Sequence, residues 1–68
     1  MNDYELRSLI TRKNQAGLRL DNLEKLGAGY TRGGAGLPPV YLSELAAARS
    51  AYAGLLEAVD VARAARAR

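Results

Sequence analysis

Residues 41–62 read YLSELAAARSAYAGLLEAVDVA. Within this stretch, Tyr41, Leu45, Ala48, Tyr52, Leu55, Val59 and Ala62 are separated by steps that alternate four and three. That alternation keeps one face of an α-helix apolar along its length, as in a helix that packs lengthwise on another helix. The many alanines add high helix propensity. A helix over about 40–66 follows. Pro39 suits its first turn, and Ser43 is an alternative cap. Arg63, Arg66 and Arg68 oppose the negative end of its dipole. One helix cannot bury this stripe alone, so the rest of the chain must supply a partner.

The partner stripe lies upstream. Leu6, Leu9, Lys13, Ala16, Leu20 and Leu23 again step by three and four, and Ile10, Gly17 and Leu26 widen the stripe on one flank. Asn2 and Glu5 come close to a capping box, and Asp3 and Glu5 suit the positive end of a helix dipole. A helix over about 3–26 is predicted, with Gly27 stopping it in a left-handed conformation. Residues 27–39 hold five of the seven glycines and both prolines, and read as the connecting loop.

The fold expected is all-α: a single domain made of an antiparallel two-helix hairpin that self-associates into a helical bundle. In that register Leu23 lies level with Leu45, Ala16 with Tyr52, Leu9 with Val59, and Leu6 with Ala62. Lys13 comes level with Gly54 and Leu55. Ile10, Leu26, Leu42 and Leu56 lie beside the seam, where two helices cannot hide them. Glycine inside a helix costs about 1 kcal/mol relative to Ala, so Gly54 marks a place where a backbone or ligand comes close. Ile10, Leu42, Leu56 and Gly54 are therefore the expected interface of a homo-oligomer.

Composition narrows the function. The 68 residues contain neither Cys nor His. Disulfides and thiolate metal sites are excluded, and the usual general base is missing. Ser43 and Ser50 have no His to activate them. Asp21/Glu24 and Glu57/Asp60 are each three apart, but basic neighbours make them read as solvated helix faces. No catalytic residue, metal or cofactor is expected. No apolar run approaches the roughly 20 residues that span a membrane, and the acidic N-terminus does not resemble a signal peptide. A cytoplasmic protein is the expectation. The net charge of +3 permits an anionic partner without demanding one. Duplex DNA is not the expected partner, because no helix-turn-helix spacing or dense basic region is present.

Binding is the remaining class. The glycine-rich loop, at about a dozen residues, exceeds the usual 2–8 of a helix–helix connection. Its backbone amides and Arg32 suggest an anion site, although it lacks the Gly-Lys-Ser/Thr ending of a P-loop. Tyr30 offers a ring for stacking, and guanidinium groups suit phosphates. Lys13 occupies a seam position, where its stem packs and its ammonium reaches out.

The run Arg49-Ser50-Ala51-Tyr52-Ala53-Gly54-Leu55-Leu56-Glu57-Ala58-Val59 resembles the last long helix of the small phage anti-CBASS sponges, which sequester cyclic oligonucleotides. The helix carrying Leu9, Ile10, Leu20, Leu23 and Leu26 is similar to their preceding helix. The resemblance implies a helical oligomer that binds cyclic nucleotides between protomers, with Arg49 and Ser50 as carried-over candidates. The ligand-site expectation is thus Arg49, Ser50, Arg32, Lys13 and Tyr30, with a small anionic nucleotide as partner. The alternatives are a helical module that binds or inhibits a host protein, and a coiled-coil component of a phage particle.

Overall fold

A computed structural model describes residues 3–34 and 36–67. Two helices, α1 (Asp3–Arg32) and α2 (Pro39–Arg66), account for the chain, with no strand among the described residues. They pack antiparallel as one hairpin, a rod of 52 × 14 × 14 Å. This is the all-α architecture that the two stripes predict.

The α2 stripe meets α1 throughout. Tyr41, Leu45, Ala48, Val59 and Ala62 are buried, and Tyr52 and Leu55 are half-buried. On α1, Leu6 is buried, while Leu9, Lys13, Ala16, Leu20 and Leu23 are half-buried. Three contacts fix the register. Tyr41 Oη donates to the Leu23 carbonyl at 2.6 Å, Tyr52 lies against Gly17, and Arg66 pairs with Asp3 at 2.7 Å. The last pair is solvent-exposed and so worth at most about 1 kcal/mol. Register therefore comes mainly from the tyrosines and the aliphatic seam.

Gly27 does not end α1. The helix runs through it to Arg32, and Gly27 is buried. A Cβ at Gly27 would collide with Tyr41 Oη and lie 2.8 Å from its Cζ. Gly27 is bare so that a tyrosine can lie on the helix backbone. The ending is made further on. Gly33 N–H donates to the Gly29 carbonyl and Gly34 N–H to the Thr31 carbonyl, both at 3.1 Å. Gly34 then takes φ +73°, the left-handed turn that stops helices. Gly36 repeats it at φ +76°.

Pro38, in extended backbone at φ −63° and ψ 145°, precedes α2, and Pro39 fills the first turn as expected. Ser43 therefore lies inside α2 and is not its cap. The proposed Asn2 cap lies outside the described residues. The connection is residues 33–38, within the usual 2–8. Its length calls for no functional explanation.

Candidate functional site

Because α2 keeps its four–three stripe against α1 from Tyr41 to Ala62, residues seven apart hold the same position relative to α1. This sorts its surface into two flanks and a back. One flank borders an open groove of about 230 Å³ lined by Ala16, Arg19, Ala47, Ala48 and Ala51. Steps of seven from Ala47 lead to Gly54 and Val61, and a step from Ala51 leads to Ala58. The other flank carries Leu42, Arg49, Leu56 and Arg63, again seven apart. Leu42 is 47% and Leu56 37% exposed there, so this side also presents apolar surface.

The five ligand candidates do not converge within the protomer. Arg49 is exposed on the Leu42/Leu56 flank. Ser50, one residue or about 100° further round, is exposed on the back of α2. Lys13 is half-buried along the seam, about 28 Å of helix from Arg32 at 1.5 Å per residue. Tyr30 sets its ring against Tyr41, with centroids 5.6 Å apart and planes at 61°. This edge-on contact makes Tyr30 a packing residue for the buried tyrosine. Arg32 is exposed in the last turn of α1, where the helix carbonyls gather. The Gly33 and Gly34 amides are spent on the helix ending, so those two are not anion donors.

The interface candidates divide. Leu42, Leu56 and Ile10 belong to one flank, but Gly54 belongs to the groove side. Gly54 is exposed, and a Cβ there would meet nothing within 4 Å. The close approach expected at the level of Lys13 does not occur inside the hairpin. Leu26, grouped with Ile10 by the sequence, is 50% exposed and belongs with the groove side. It lines a shallow furrow with Gln15, Leu18, Arg19, Asn22 and Leu23. Periodicity alone missed Ala47, Ala51 and Val61; Arg19 counts among the arginines that suit an anion. The signal was present as the seven-residue row Val40, Ala47, Gly54 and Val61.

Of the acidic pairs, Asp21 is held by Lys25 at 2.9 Å on an exposed face. No helix is long and apolar enough to cross a membrane. Compared with known families, curated proteins and solved structures, the chain matches none.

Proposed function

We propose that this chain is a non-catalytic helical interaction module that works by burying one long flank of its hairpin against another helical surface. The observation that supports this is exposed apolar surface. On the groove side Leu18, Leu26 and Val61 are 63%, 50% and 64% exposed. Their spread along a rod suits a helical partner rather than a small ligand.

Sedimentation equilibrium across the micromolar range tests this reading. A concentration-dependent assembly, or a stable complex with a helical partner, is the expected result. A monomer that binds nothing would contradict it.

Sequestration of an anionic cyclic nucleotide is the second reading, and one feature favours it. Arg19 stands beside an apolar groove, with Gln15 and Asn22 lining the furrow next to it. Guanidinium and amide groups above an apolar floor suit phosphates and bases. Calorimetric titration with cyclic di- and trinucleotides separates the two. The module reading predicts no binding tighter than about 100 μM. Tighter binding that weakens with salt and with Arg19→Ala would favour the nucleotide.

A further inference from the structure

We propose that the hinge end of the hairpin is a latch that opens as one unit about Tyr41. Residues 27–32 of α1 and residues 39–42 of α2 unfold together. The seam from Leu6 to Leu20 on α1 meanwhile stays closed against Ala48 to Ala62 on α2. This goes beyond the interaction-module reading and does not depend on what covers the flanks.

Both segments rest on the same ring. Within residues 27–32, Ala28, Gly29, Thr31 and Arg32 are exposed. The remaining two are Gly27, which lies under the Tyr41 ring, and Tyr30, which sets its own ring against it. In the first turn of α2, Pro39, Val40 and Leu42 are exposed and Tyr41 is buried. One side chain is thus the shared support of two helix ends. If the ring leaves, both segments lose their cover together.

Local chemistry holds neither segment strongly. Gly27 and Gly29 both weaken the last turns of α1, because glycine gives up the most backbone freedom on folding. Thr31 Oγ1 donates to the Gly27 carbonyl at 3.1 Å, a bond internal to the segment that is lost with it. The α2 helix starts without a side-chain cap and without an acidic residue in its first turn. Its first amides therefore lack the usual support.

The boundary of the unit lies at Leu23. Tyr41 Oη donates to its carbonyl, the same carbonyl that α-helix geometry assigns to the Gly27 N–H. Beyond this point the seam continues without the ring: Leu45 and Ala48 are buried, and Leu20 and Leu23 are half-buried. Opening lengthens the connection from residues 33–38 to residues 27–42. It also frees the Gly33 and Gly34 amides that the closed form spends on the helix ending. The cost of closing a loop grows slowly with its length, so the longer connection does not pull the seam apart. The long glycine-rich loop that the sequence suggests is this open form.

Native-state hydrogen exchange of the full chain, followed amide by amide, tests the latch. The amides of Gly29 to Gly34 and of Leu42 to Glu44 should share one opening equilibrium. It should be at least about tenfold more favourable than that of seam amides between Leu9 and Leu20. Its urea dependence should be shallower, since less surface is exposed. Val59→Ala, in the buried seam far from the ring, should accelerate the seam amides and leave both hinge groups unchanged. Tyr41→Phe should accelerate both hinge groups by one common factor of about two to ten, the loss of a single hydrogen bond.

Hinge amides that exchange at the seam's rate, or that answer to Val59→Ala, would overturn the proposal, because opening would then be global. So would hinge groups that respond to Tyr41→Phe by different factors, since the two helix ends would then move separately. Should Val59→Ala fail to fold, the urea slopes of the unchanged chain decide the matter.

Discussion

Two of the four glycines inside the helices sit in opposite surroundings. Gly27 in α1 is buried beneath the Tyr41 ring, and a side chain there would collide with it. Gly54 in α2 is exposed and faces open space. Both weaken their helices by about 1 kcal/mol relative to Ala. At Gly27 the compensation lies within the protomer: a buried tyrosine, its hydrogen bond to Leu23, and the edge of Tyr30. At Gly54 the protomer holds no compensation. Gly29, also exposed in α1, is open in the same way.

The strongest way to break this comparison is to remove what rests on Gly27. Tyr41→Ala should destabilise the hairpin by about 3–5 kcal/mol, as large aromatic truncations do. In a small domain that loss should abolish the cooperative melt followed by circular dichroism.

Gly27→Ala comes next. It should cost about 1–3 kcal/mol by displacing the ring, outweighing the gain in helix propensity. Its sign should reverse once the ring is gone. In a Tyr41→Ala background, Gly27→Ala should raise residual helicity, and a double-mutant cycle measures that coupling. If Gly27→Ala is harmless with Tyr41 present, the seat is not tight and the comparison fails.

Tyr41→Phe keeps the packing and removes only the donor to Leu23. Its expected cost is about 0.5–1.5 kcal/mol by chemical denaturation.

The smallest effect, of opposite sign, belongs to Gly54→Ala. In the dilute limit it should stabilise the protomer by about 0.4–1 kcal/mol.

The stripes made the hairpin legible because their spacing is a property of sequence alone. Tyr41, Leu45, Ala48, Val59 and Ala62 are buried, as their steps imply. The antiparallel register followed too, from the levels at which Leu and Tyr residues meet. The end of α1 did not. Gly27 carries the same local signal as Gly34, and only the tyrosine eighteen positions after Leu23 in the chain distinguishes them. A local rule cannot see that contact.

The candidate site was less legible for a related reason. Arg49, Ser50, Arg32, Lys13 and Tyr30 were grouped by chemistry and by resemblance, not by face. Helix geometry scatters them over a flank, the back, the seam and the far end of α1. The groove flank escaped notice because Ala47 and Ala51 lack distinctive chemistry. Their importance lies in what they leave empty.

Sedimentation equilibrium and circular dichroism on the same samples test the central claim most directly. Because the protomer leaves apolar side chains such as Leu18, Leu26 and Val61 exposed, the chain should assemble as concentration rises, or bind a helical partner, with its helicity unchanged. A chain that stays monomeric and binds no helical partner would contradict the account.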